Sequence, residues 1–196
     1  MPLAKGPRRR SSARDRVDEP PADPVEAARQ VCLHQLEHAP RTRHELASVL
    51  RRRGVDDAVA GQVLDRFAEV GMIDDATFAQ MWVASRHRGK GLASRALSHE
   101  LRRKGVGDAE AAQALEALAP DTEAATARSL VDRRLRTTAG LPTDARVRRL
   151  AGMLARKGYP AGVAFGVVRE ALAAEGAAAE HELDALAAVD SDAEEV

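Results

Sequence analysis

Apolar residues recur along the chain at intervals of three and four, with polar residues between them, which is the periodicity of a helix buried on one side. Ala28, Val31, Cys32, Leu36 and Ala39 form the first such stripe, and Pro40 ends it. Thr42 then stands at a helix start with Glu45 three residues on, the pairing of a capping box. Leu46 and Leu50 supply the next stripe, which Gly54 stops. Asp56 or Asp57 caps a third helix carrying Val59, Val63, Leu64, Phe67 and Val70, and Gly71 closes it.

The middle helix of this unit returns twice. Leu46, Leu50, Arg52, Arg53, Gly54 and Val55 match Leu97, Leu101, Arg103, Lys104, Gly105 and Val106. They match again in Leu150, Leu154, Arg156, Lys157, Gly158 and Tyr159. The glycines stand 51 and then 53 residues apart, and Ala60, Ala111 and Ala164 each follow by six, so the period marks a tandem array. Leucines four apart share one helix face. Basic residues in the last turn complement the helix dipole, and glycine admits the left-handed backbone that ends the helix.

Asp74 and Asp75 open the second unit, with Phe78, Met81 and Trp82 inward and Ala111, Leu115 and Leu118 along its last helix. Asp121 and Thr122 open the third, with Ala127, Leu130, Val131 and Leu135 inward. Gly140 to Pro142 form a loop there, and Pro160 precedes Val163, Val167, Val168 and Leu172. The pattern predicts an all-α fold: an elongated array of three tandem three-helix repeats at 25–72, 73–119 and 120–174. Units of this size are marginal alone, so neighbours brace one another. Residues 1–24 and 175–196 lack periodicity and read as disordered tails. Only five aromatics occur, and the abundance of Ala and Leu favours helices over a sheet.

The formal net charge of zero hides a division. Residues 1–24 carry six Lys/Arg against four acids, and residues 170–196 carry nine acids and no Lys or Arg. The body between them holds 24 Lys/Arg and 17 Asp/Glu, so it is drawn to polyanions or an acidic protein surface. Cys32 is the only cysteine, which excludes an internal disulfide and a thiolate metal cluster in one chain. No apolar run is long enough to cross a membrane, and none follows the charged start as in a secretory signal; a cytoplasmic protein is expected.

Several motifs, taken in order, resemble the RecX family of regulatory proteins. They are Arg41-Thr-Arg-His-Glu45-Leu46 leading into Leu50-Arg-Arg-Arg-Gly54, and Gly71-Met-Ile-Asp74-Asp75-Ala-Thr-Phe78-Ala79. Ser85-Arg86-His-Arg88-Gly89-Lys90-Gly91 follows, then Leu101-Arg-Arg-Lys104-Gly105-Val106, and Arg156-Lys157-Gly158-Tyr159 agrees. The resemblance spans residues 27–172 and leaves both tails outside. It implies tandem three-helix repeats and a regulator of DNA repair and recombination. Such a protein would bind the RecA recombinase, lie along its filament on single-stranded DNA, and inhibit its ATP hydrolysis, strand exchange and coprotease activity.

The candidate partner-binding residues are basic: Arg51, Arg52, Arg53, Arg86, Arg88, Lys90, Arg95, Arg102, Arg103, Lys104, Arg148, Arg149, Arg156 and Lys157. Their recurrence suits a partner that is itself periodic, such as a RecA filament; helix capping and a solvated face are the competing reading for any one of them. The expected protein is a monomer without membrane, metal or cofactor, and direct DNA binding without RecA is the alternative. Nothing points to catalysis. Asp74 and Asp75 read as helix caps, Cys32 as a small buried side chain, and Phe78 and Trp82 as core. Ala84 stands where a phosphate loop around Arg88-Gly89-Lys90-Gly91 would need its first Gly. His34 and His38 lie four apart, but no acid or cysteine is placed to complete a metal site, so they read as an exposed helical face.

Overall fold

Each apolar stripe becomes a helix in the computed structural model, which describes residues 23–193. The first unit is α1 (Pro24–His38), α2 (Arg43–Arg52) and α3 (Asp57–Glu69). The second is α4 (Asp75–Lys90), α5 (Ser94–Arg103) and α6 (Asp108–Glu116). The third is α7 (Pro120–Leu135), a short 3₁₀ turn (Arg136–Thr138), α8 (Thr143–Arg156) and α9 (Ala161–Ala193). No strand occurs among the described residues. Residues 1–22 and 194–196, which hold most of the basic N-terminal stretch and the end of the acidic tail, lie outside them.

Local chemistry sets the helix starts. The Thr42 hydroxyl accepts from the Glu45 N–H at 3.1 Å, and the Glu45 carboxylate accepts from the Thr42 N–H at 3.3 Å, completing the capping box of α2. Asp56 caps α3 through the Ala58 N–H, and Asp74 caps α4 through the Thr77 N–H and hydroxyl.

Each unit has its own core. Leu46 and Leu50 pack with Cys32, Leu64 and Phe67; Leu97 and Leu101 with Phe78, Val83 and Ala114; Leu150 and Leu154 with Val131, Tyr159 and Val168. All six leucines are buried to within 1% of complete, and each contributes about 1.5–3 kcal/mol of apolar burial. Every substantial helix–helix pairing lies within a unit, which makes the molecule an elongated array.

The units meet end to end through their middle helices. The Thr42 hydroxyl donates to the Lys104 carbonyl at 2.6 Å, and the Lys104 ammonium reaches Glu45 at 2.8 Å, so the C-terminus of α5 abuts the N-terminus of α2. One unit on, the Ala93 N–H donates to the Lys157 carbonyl at 2.9 Å, and the Tyr159 hydroxyl to the Gly91 carbonyl at 3.2 Å. The C-terminus of α8 thus abuts the N-terminus of α5. Helix-end groups that would otherwise face water are satisfied by the neighbouring repeat. Buried His87 adds a bridge: its Nδ1–H donates to the Leu92 carbonyl, and its Nε2 accepts from the Thr126 hydroxyl.

Val70, Met81 and Val163, placed on the apolar stripes by spacing, are exposed in the structure. α9 runs to Ala193, and Ala173, Ala174 and Ala177 to Ala179 along it favour helix.

Candidate functional site

The basic residues that look equivalent in sequence divide into two groups. Lys104 is largely enclosed: beyond its ion pair with Glu45, its ammonium lies 4.2 Å from the Trp82 ring centroid and 5.2 Å from that of Phe78. Arg86 is likewise engaged, 4.1 Å over Trp82 and 3.4 Å from Glu100, whose carboxylate also accepts from the Trp82 indole N–H. The Lys157 ammonium donates to the Lys90 carbonyl, closing the second junction. Lys104 and Lys157 thus join neighbouring units, and Arg86 braces the second unit internally. Arg51, Arg52, Arg53, Arg88, Lys90, Arg95, Arg102, Arg103, Arg148, Arg149 and Arg156 are exposed.

Many of the exposed cations gather where the second and third units meet. A groove of about 770 Å³ is lined by Arg88, Lys90, Arg133, Arg134, Arg156 and Lys157, together with Gly89, Gly91, Leu92, Thr126, Leu130 and Met153. A smaller one of about 250 Å³ continues it past Arg134, Arg149 and Arg156 to Thr137 and Thr138. No Asp or Glu lines either. A third groove, of about 950 Å³, lies between α5 and the α8–α9 turn, with Arg95, His99, Arg102, Arg103 and Arg156 on its walls. Its single acid, Glu100, is engaged by Arg86 and Trp82. Arg156 lines all three grooves and is their meeting point.

A concave surface of one charge sign concentrates the field in front of it and attracts anions. Arg51, Arg52 and Arg53 lie apart from it, at the outer end of α2, and Arg148 lines none of the three grooves. Arg133 and Arg134 are missed by sequence reasoning, although both lie in the last turn of α7 beside the grooves. The repeat signature belongs to the middle helices, and α7 is a first helix. A basic pair in the last helical turn is the signal that could have found them.

The candidate chemistry elsewhere is mostly structural. Asp74 caps α4, and Asp75 accepts from the Arg43 N–H at 2.9 Å across the first junction. Cys32 is fully buried, and burial pushes its thiol up to about 11, which removes the thiolate. His34 and His38 are exposed as expected, but an acid does stand beside them. Glu37 shares the last turn of α1 with them, and ring-nitrogen or carboxylate atoms from all three lie within 4.8 Å of one another. The one-residue offset of Glu37 from His38 hid this acid from spacing alone. No helix among the described residues is long and apolar enough to cross a membrane.

Family models match the three units one by one: RecX, first three-helix domain, over residues 28–67; the second over 74–115; the third over 121–168. A regulatory protein RecX of Streptomyces coelicolor is 56% identical over 171 residues, covering 87% of this chain and 91% of that protein. One of Thermobifida fusca is 56% identical over 156 residues, covering 80% and 84%. The crystal structure of RecX from Lactobacillus salivarius shares the fold at a TM-score of 0.71, with 17% identity over 76% of this chain and 97% of that one.

Proposed function

The chain belongs to the RecX family of regulatory proteins, and on that footing we propose that it binds RecA filaments on single-stranded DNA and restrains their activity. The observation that carries this reading is the acid-free basic lining at the junction of the second and third units. Arg88, Lys90, Arg133, Arg134, Arg149 and Arg156 face a polyanionic partner there, and Arg51 to Arg53 extend the contact from the other end of the array. An elongated ligand laid across neighbouring protomers favours whichever filament state it fits. It shifts the filament by its difference in affinity for the two states and needs no cofactor. The protein acts as a monomer in the cytoplasm.

The test replaces charges that do not hold the array. Reversing Arg102, Arg103 and Lys104 together would confuse binding with loosening, because Lys104 closes the first junction. The double substitution Arg134→Glu and Arg156→Glu leaves every junction contact in place. It is expected to weaken inhibition of RecA ATP hydrolysis about tenfold or more, with circular dichroism unchanged. Unaltered inhibition would reject the placement of the site. Direct DNA binding is the second reading, since an acid-free groove also suits a phosphate backbone. Capture on bare single-stranded DNA as tight as on RecA-coated DNA, falling steeply with salt, would select it.

A further inference from the structure

Outside the basic grooves, one cluster of side chains has the composition of a metal site: His34, Glu37 and His38 in the last turn of α1. Two imidazoles and a carboxylate suit a borderline divalent ion such as Zn²⁺, Ni²⁺ or Co²⁺, and do not suit Mg²⁺ or Ca²⁺, which take oxygen donors. One donor atom from each residue lies within 4.8 Å of the others. An ion about 2.0–2.2 Å from each donor needs a slightly tighter triangle, which small rotations of exposed side chains supply.

Three further observations point the same way. The His38 Nδ1 lies 2.8 Å from the His34 carbonyl oxygen. A carbonyl only accepts, so that nitrogen carries the proton and Nε2 keeps its lone pair. Metal-bound histidines are commonly held by such a bond from the other ring nitrogen to a carbonyl. Glu37 has no Lys or Arg partner among the described residues; Arg29, the nearest cation along the helix, is committed to Glu26 by bonds of 2.7 and 2.9 Å. The nearest charge partner of Glu37 is the His34 Nδ1 at 3.7 Å, too long for a hydrogen bond. Finally, the cluster sits at the C-terminal end of α1, where the helix dipole is negative and favours a cation.

We propose that His34, Glu37 and His38 bind a divalent transition-metal ion at the end of α1. The ion takes three donors from the protein and leaves its remaining positions to water. The site belongs to the first unit, away from the basic grooves, and stands independently of any role in RecA binding.

Calorimetric titration of untagged full-length protein with Zn²⁺, Ni²⁺ and Mg²⁺ tests it. One transition-metal ion per chain is expected, with no saturable heat from Mg²⁺. His34→Gln and His38→Gln should each weaken binding by about tenfold or more, and Glu37→Gln should weaken it in the same direction. All three positions are exposed, so the fold is kept and circular dichroism verifies it. Absence of saturable binding by wild type, or equal binding by the His38→Gln protein, overturns the assignment.

Discussion

Arg103 and Lys104 stand side by side at the end of α5, yet the first is exposed and the second joins two units through Glu45 and Trp82. Lys104→Met should therefore lower stability by about 1–3 kcal/mol, because it strands a half-buried carboxylate and removes the cation from the ring. Arg103→Ala should change it by no more than about 0.5 kcal/mol. Urea midpoints of the two variants measure the difference. Across the same junction, burial is the main cause that raises the Asp75 carboxyl above its ordinary 3.8, opposed by the Arg43 N–H bond and helped by the Glu110 charge. The folded state then binds this proton more tightly than the unfolded chain. The group's favourable contribution is complete below pH 3.8 and is lost as pH rises through the folded value. Asp75→Asn keeps an acceptor for Arg43 and removes the charge. It should raise stability at pH 7, by less than about 1 kcal/mol given solvent screening, and change little in acid. A variant no more stable at pH 7 than wild type would refute that account.

At the scale of the helix, starts and stops are legible in the sequence because their causes lie within four residues of one another. Thr42 with Glu45, Asp74 with Thr77, and the glycines after each basic pair specify their own geometry. The seams between units are not legible, because equivalent residues meet different surroundings. Gly54 and Gly158 close α2 and α8 with the same left-handed backbone, at φ of 76° and 91°. A methyl group added at Gly54 would meet nothing within 4 Å, whereas one at Gly158 would come within 2.6 Å of the Ala96 backbone nitrogen. Gly54→Ala should cost about 1–2 kcal/mol, the strain of that backbone for an L-residue. Gly158→Ala should cost clearly more and expose the α4–α5 linker to protease. Equal thermal shifts for the two alanine variants would mean that the second junction is looser than its geometry. The candidate site was half legible for the same reason. Arg156 announces itself through the repeat and Arg88 and Lys90 through the Ser85–Gly91 motif, while Arg133 and Arg134 reach the same groove from a helix outside both signals, and Lys104 and Lys157 are withdrawn into the seams.

For the whole molecule, the two junctions differ in degree. The first is tied by Thr42 to Lys104, Lys104 to Glu45, and the Arg43 N–H to Asp75, and it places Ile73 from the second unit inside the core of the first. The second places Ala93 from the second unit inside the core of the third, and it is tied further by buried Tyr159 and His87 and by the pairing of Ser94 with Glu123. Contacts between partly exposed groups, such as Lys104 with Glu45, exchange readily with water, and the second junction has the larger number of buried ties, so the first should open at lower free energy. Two amides report this directly, because each donates across its own junction: Arg43 to the Asp75 carboxylate, and Ala93 to the Lys157 carbonyl. In native-state hydrogen exchange followed by NMR, the Ala93 amide should exchange at least about tenfold more slowly than that of Arg43. Equal protection would mean that the array opens as one body. Unequal protection leaves the grooved half of the molecule as a firm block and the first unit free to swing against it. Under the proposed function, such a chain would keep the shape of its basic surface while Arg51 to Arg53 adjust to a partner of varying repeat spacing.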